Sequence, residues 1–358
     1  MQVHLVVPGS VVDPGRPSGG NVYDAELAHA LRAAGVRVGE HPVPGRWPGR
    51  GEEGALARVL GQVPDGEVVV LDGLVGSAAA DALAAVRRRL TVLVLVHLPL
   101  GLDATVPPVV AAQERRALSA AAGVVATSGW TRDWLTTAYG LDAVHVARPG
   151  ARHAPPARRG TGGALLCLGA VVPAKGQDVL VEALAGLRDL PWTCRVVGPR
   201  DLDPRFVRRV ERRVREEGLD RRVLLRGPVP HSRVARQLAA TDLLVQPTRL
   251  ETYGMATTEA LAHGVPVVAS DTGGVAEAVG RTGTGAVPGL LVPPGDPTTL
   301  ADALRAWLTD PAARARLRAA ASARRVDLPA WSATAAAVLR AVDRVRVNRT
   351  APATVVRS

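Results

Sequence analysis

The sequence predicts an α/β protein made of two doubly wound parallel sheets, one after the other along the chain. Three observations carry this expectation. Short apolar runs alternate with helical patterns through the first 150 residues. A stretch rich in Pro, Gly, Arg and Ala, without periodicity, follows at 148–163, and then the alternation begins again. Strands joined by helical connections pair in parallel, and burial on both faces gives such strands their near-continuous apolar character.

The first domain, 1–150, opens with a strand at 3–7 and a helix at 21–34 that stops before Gly35. Further strands are expected at 68–71, 91–96, 123–127 and 144–147, ahead of Pro149-Gly150. Residues 151–163 form the linker. The second domain, 164–328, restarts with a strand at 164–168, a helix at 178–187 and a strand at 193–197. A helix at 204–217, a strand at 223–225, a helix at 232–240 and a strand at 243–246 come next. The helix at 257–263, the strand at 265–269 and a short strand at 289–292 precede Asp296-Pro297, an acid as N-cap with proline in the first turn of another helix. Residues 331–345 read as a last helix within a 329–347 segment, and 348–358 as a flexible tail. Two such sheets place a cleft where the carboxyl ends of their strands face each other, and ligands bind there.

At 358 residues with 47 % hydrophobic content, the chain suits two domains with substantial cores. The net charge of +11 invites a polyanion reading, but Lys175 is the one lysine among 44 basic residues, so the charge is an arginine bias. The arginines are also scattered. Runs at 87–89 and 208–215 interleave with apolar or acidic positions, as on solvated helix faces, so no nucleic-acid partner is expected. A mildly cationic patch leaves room for a peripheral contact with anionic lipid. Cys167 and Cys194 lie inside apolar runs and read as small core residues in a reducing compartment. No basic region precedes the first strand, so no signal peptide is expected. The apolar stretch 90–96 is too short to span a bilayer. These features point to a cytoplasmic protein, at most peripheral at the inner membrane face.

The strongest local signal is the string from Glu251 to Ser270, ETYGMATTEALAHGVPVVAS. Glu251 falls on the loop leaving the strand at 243–246, and the next helix begins near Met255. The free amides at that helix start make a ready diphosphate site. Glu259 lies about one turn into the helix, where it can accept from a pair of ribose hydroxyls. Thr252, Tyr253, Gly254 and Met255 offer backbone amides to phosphate or sugar. Lys175 sits at a strand-to-helix turn, and a compact ammonium suits a leaving diphosphate. Gly19-Gly20 lets the backbone approach a ligand closely at the start of the first helix. His97 ends an apolar strand, where a hydrogen-bonded core histidine is an equal reading from the residues alone.

The string resembles the Glu-x7-Glu motif of retaining glycosyltransferases of the GT-B fold, specifically glycosyltransferase family 4. The likeness extends over nearly the whole chain. Lys175-Gly176 resembles that family's Lys-Gly element, Ser18-Gly19-Gly20 its N-terminal glycine loop, and the stretch from Gly289 to Pro297 its late hairpin and helix start. His97, in Val-His-Leu-Pro, matches a histidine placed beside the donor sugar, and Val229 matches a turn offering backbone to the nucleotide base. The last helix resembles the segment that crosses back to the first domain. The resemblance implies two Rossmann-like domains, the first binding the acceptor and the second the nucleotide sugar. It also implies transfer of a hexose from a UDP- or GDP-sugar to a hydroxyl on a small molecule, glycan or lipid, with retention and without a metal. Glu251, Lys175 and His97 are then the catalytic set.

One position departs from the family pattern. Many members carry an arginine directly after the glycine corresponding to Gly169, where this chain has Ala170. Leaving-group stabilisation must then rest on Lys175, helix N-termini and Arg249. Asp201-Leu-Asp203 forms an Asp-x-Asp triplet of the kind that holds a divalent metal in another fold, but Asp203 before Pro204 is a natural N-cap and no His/Cys cluster has metal spacing. No cofactor is expected beyond the nucleotide-sugar co-substrate. A sugar phosphorylase, a nucleotide-sugar hydrolase or a non-catalytic GT-B-like partner module would share the fold. A dinucleotide-dependent dehydrogenase is disfavoured, since Pro-Gly-Ser stands where Gly-x-Gly-x-x-Gly belongs.

Overall fold

In this computed structural model, which describes residues 1–9, 18–45, 47 and 53–350, the apolar runs become the strands of two six-stranded sheets. The chain divides into two compact units. Residues 20–149, with the opening strand and residues from 331 onward, make the first, and residues 150–330 the core of the second.

In the first unit the elements are β1 (Gln2–Pro8), α1 (Gly19–Ala33), β2 (Arg37–Val43), α2 (Glu53–Gln62), β3 (Val68–Asp72), α3 (Gly73–Gly76), α4 (Ala80–Val86), β4 (Thr91–Val96), α5 (Pro108–Ala120), β5 (Gly123–Ala126), α6 (Gly129–Tyr139) and β6 (Val144–Val146). Every pairing is parallel and the order is β2-β1-β3-β4-β5-β6. Strands β3 and β4 are buried at every residue, because helices cover both faces. Strand β2 was not foreseen. It reads Arg-Val-Gly-Glu-His-Pro-Val, without an apolar run, since an edge strand is only partly covered and tolerates proline.

The second unit contains β7 (Ala164–Leu168), α7 (Gln177–Ala185), β8 (Thr193–Val197), α8 (Pro204–Glu216), β9 (Val223–Arg226), α9 (His231–Ala239), β10 (Leu243–Gln246), α10 (Met255–Ala262), β11 (Val267–Ser270), α11 (Val275–Val279), β12 (Gly289–Val292), α12 (Pro297–Thr309) and α13 (Pro311–Asp327). Its sheet is parallel, in the order β12-β11-β10-β7-β8-β9. Helix α8 buries Phe206, Val207, Val210 and Val214 and turns its arginines outward, as a solvated amphipathic helix does. The two cysteines are buried and free, on neighbouring strands β7 and β8. The linker is strapped to this unit. The buried carboxylate of Asp242 accepts the amides of Gly160, Gly162 and Ala164 at 2.9, 3.0 and 3.1 Å, and Arg318 closes the knot at 2.7 Å.

A last helix, α14 (Trp331–Thr350), packs within the first unit. Trp331 meets the ring of Tyr23 edge-on at 5.3 Å, and the Thr334 hydroxyl donates to the Arg148 carbonyl at 2.7 Å. The flexible tail expected from residue 348 is corrected in part: the backbone stays helical through Thr350. Residues 351–358 lie outside the described residues. Among the described residues, no helix is long and apolar enough to cross a membrane.

Candidate active site

In the second unit, Lys175 and Glu251 are far apart in sequence but meet in space. Strands β7 and β10 are neighbours, so the loops leaving their carboxyl ends lie side by side. The Lys175 ammonium donates to Glu251 Oε2 at 2.7 Å, with the two side chains 30 % and 20 % exposed. Both groups therefore reach solvent and a ligand while holding each other.

The local backbone explains the meeting. Gly176 has φ of +66°, and a Cβ there would collide with the Pro247 carbonyl, so only glycine lets the lysine turn sit beneath the β10 exit. The amides of Arg249 and Leu250 both reach the Ala174 carbonyl, at 2.8 and 3.4 Å, tying the two loops edge to edge. Arg249 reinforces the tie. Its guanidinium takes both oxygens of Asp178 at 2.7 and 3.0 Å and the Pro173 carbonyl at 2.8 Å. Arg249, expected beside a leaving group, thus has a second task here as a clamp on the Lys175 loop. Ala170 carries no cation, and its carbonyl accepts from the buried Gln177 amide at 2.9 Å.

Beyond Glu251, Thr252 and Tyr253 are buried and Gly254, at φ +101°, starts α10. The amides of Met255 and Ala256 open the helix, where no intrahelical partner exists for them. Glu259 lies one turn in and is half-buried. Glu251, Thr252, Tyr253, Gly254, Met255 and Glu259 thus form one continuous turn and helix start beside Lys175. Val229, just after β9, is half-buried and packs on the apolar cluster around Leu238 and Val275. Asp203 of the Asp-x-Asp triplet caps α8, accepting the Phe206 amide at 2.9 Å.

The first unit holds a second cluster, around His97. Its imidazole Nε2 lies 2.9 Å from Asp24 Oδ1 and 3.4 Å from Asp72 Oδ2. Gly19 and Gly20 form the first turn of α1, and a Cβ on Gly20 would stand 3.1 Å from the His97 ring. The edge of Tyr23 covers another side at 5.1 Å. Burial alone would hold His97 neutral, but the carboxylates of Asp24 and Asp72 outweigh it and raise it to about 10. Burial pushes Asp24 up to about 7, opposed by His97 and reinforced by Asp72. Neither carboxylate was foreseen. A signal existed for Asp24: it lies four residues after Gly20, on the same helix face.

These three side chains are the one place among the described residues where three such groups bring ligand atoms within 4.8 Å of one another. A protonated imidazole has no lone pair to give a cation and already supplies the positive charge between the acids. While the imidazole is protonated, the cluster holds a proton where a cation would otherwise sit.

Comparison with known proteins follows the same division of the chain. Residues 152–324 match the family model described as glycosyl transferases group 1, and residues 1–150 match the glycosyl transferase 4-like domain. A D-inositol 3-phosphate glycosyltransferase of Catenulispora acidiphila is 31 % identical, over 88 % of this chain and 89 % of its own length. A protein of the same description from Kineococcus radiotolerans is 35 % identical over 66 % of this chain, which spans 60 % of that relative's length. Among solved structures, sucrose-phosphate synthase from Thermosynechococcus elongatus superposes with a TM-score of 0.79 at 22 % identity, covering 97 % of this chain and all of that one. Anabaena HepE, in complex with UDP-glucose, gives 0.76 at 17 % identity, covering 96 % of this chain and all of that one. These likenesses establish the GT-B fold.

Proposed function

Because this chain belongs to the glycosyl transferases group 1 family, we propose that it moves a hexose from a nucleotide sugar to a hydroxyl acceptor, with retention and without a metal. The observation that carries this reading is the 2.7 Å pairing of Lys175 and Glu251 beside the open start of α10. A diphosphate there meets an ammonium and unpaired helix amides, both fixed in place before the reaction begins. Charge growing on the departing phosphate oxygen is stabilised without a cofactor. Glu251 turns its carboxylate to the sugar hydroxyls and orients the donor, while Glu259 takes the ribose. The anomeric carbon gains oxocarbenium character as in glycoside hydrolysis. The leaving phosphate takes the acceptor's proton, so transfer occurs on one face of the sugar. We assign the acceptor to the first unit and, from the likeness of Val-His97-Leu-Pro to the family's motif, a sugar-binding role to His97.

A UDP-sugar is the first donor to try, given the UDP-glucose held by HepE, with a GDP-sugar second. The name of the Catenulispora relative, a D-inositol 3-phosphate glycosyltransferase, makes a phosphorylated cyclitol one acceptor to try. We place the reaction in the cytoplasm. A thermal-shift screen against UDP, GDP, ADP and dTDP tests the nucleotide site. A nucleotide at a hundred times its dissociation constant adds about 2.7 kcal/mol of stability. The expected result is a clear rise with UDP or GDP, and no rise with any of the four sinks the proposal.

A further inference from the structure

The His97 cluster lies where the first unit's chain changes direction across its sheet. From β1 the chain steps outward to β2, then returns past β1 to β3. The β1–β3 boundary is thus the topological switch point, and open α/β sheets bind ligands just beyond the strand carboxyl ends there. Asp72 is the last residue of β3, His97 follows β4 directly, and Asp24 comes from the helix after β1. All three side chains converge on that crevice from different elements, and His97 alone among them keeps 14 % of its side chain exposed.

The two acids are held differently. Asp72 Oδ1 accepts the Leu74 amide at 2.6 Å, which fixes that carboxylate and aims Oδ2 at the imidazole. Asp24 gives Oδ1 to His97, and its Oδ2 is buried with no hydrogen-bond partner among the described residues. A buried carboxylate with one oxygen unmatched does not add stability, so its presence calls for another reason. The ring has little freedom to turn away. Gly20 lies against one side, and Tyr23, anchored by its hydroxyl to the Ala147 carbonyl at 2.9 Å, lies against another.

We propose that Asp24 is a positioning residue for His97: with Asp72 it engages Nε2 and holds the imidazole as a fixed cation, so that His97 faces the sugar as a positive charge and never acts as a base. The inference rests on the functional reading above, in which His97 binds sugar. It also fixes the proton's route. When the acceptor oxygen bonds to the anomeric carbon and the carbon–phosphate oxygen bond breaks, the hydroxyl proton passes to the departing phosphate oxygen and not to His97. Among the described residues the acids facing the ring are the two aspartates, and their combined effect keeps it protonated well past the ordinary 6.5.

Two measurements test this. In the first, carbon-13-labelled histidine is titrated by NMR in the whole protein, with His97→Gln to assign the signal. The His97 ring should stay protonated far above the ordinary imidazole range, and Asp24→Asn should bring its titration down toward 6.5. A wild-type His97 that titrates near 6.5 overturns the proposal, whatever the enzyme turns over. In the second, release of UDP or GDP from UDP-glucose or GDP-mannose is followed against pH. Asp24→Asn should stay within about threefold of wild type at pH ~6 and fall at least roughly tenfold behind by pH ~8.5, as its His97 loses charge. Asp24→Glu should recover part of that difference. An equal loss at every pH, which a merely structural role would give, also overturns it. Failure of every nucleotide to bind would instead strike the donor assignment and leave the NMR result standing.

Discussion

Replacing Lys175 with alanine separates chemistry from folding more cleanly than any other change in this chain. The ammonium is one electrostatic donor aimed at a charge that grows during the reaction. Loss of such a donor costs about 100- to 1,000-fold in turnover, or roughly 2.7–4 kcal/mol of barrier. The same side chain contributes little to stability. Its pair with Glu251 is partly exposed on both sides, and pairs of this kind are worth at most about 1 kcal/mol. The lysine side chain as a whole is only partly buried, so no cavity opens in a core. The variant should therefore melt within a few degrees of the parent while releasing UDP or GDP from its nucleotide sugar two to three orders of magnitude more slowly. Lys175→Arg should recover only part of the rate, because a broad planar guanidinium does not reproduce a point charge. A coupled nucleotide-release assay beside a thermal melt reads both quantities. A change in turnover of less than twofold, with the fold intact, would refute the role given to this lysine.

Other changes probe separate parts of the molecule. Gly20→Ala places a methyl 3.1 Å from the His97 ring, which has little room to move; turnover should fall about tenfold, and the crowding should offset the roughly 0.5–1 kcal/mol by which alanine favours a helix, so that the melt does not rise. The fully buried Glu114 accepts from the Leu100 and Gly101 amides, the Ser77 hydroxyl and the Tyr139 hydroxyl, pinning the loop after His97. Glu114→Leu strands those donors and should cost about 3 kcal/mol in a denaturant titration. Chelation with EDTA should leave turnover unchanged; a sharp loss would turn attention to the Asp24, Asp72 and His97 cluster, and to Asp201 and Asp203.

The parts of the site legible in the sequence were those that follow one another along the chain. Glu251, Gly254, Met255 and Glu259 sit on one turn and helix start, so their spacing already encodes their geometry. Lys175 was conspicuous by composition. Strands β3 and β4 were legible because burial on both faces leaves an unbroken apolar run. Strand β2 was hidden because an edge strand carries no such run. Asp24 and Asp72 were hidden for a different reason. Their meaning lies in meeting His97 across 73 and 25 residues of chain, and only the strand order brings them there. The clamp made by Arg249 was hidden because a sequence shows a charge but not its partners, here Asp178 and the Pro173 carbonyl.

The scarcity of lysine makes this protein its own reporter. Apart from the amino terminus, Lys175 is the single primary amine an acylating reagent can find, and it is accessible enough to react. Modification of the one peptide that carries Lys175, followed by mass, would therefore report the ammonium's surroundings without any engineered label. Protection by a nucleotide would map occupancy of the diphosphate position directly, before the sugar or its acceptor is identified.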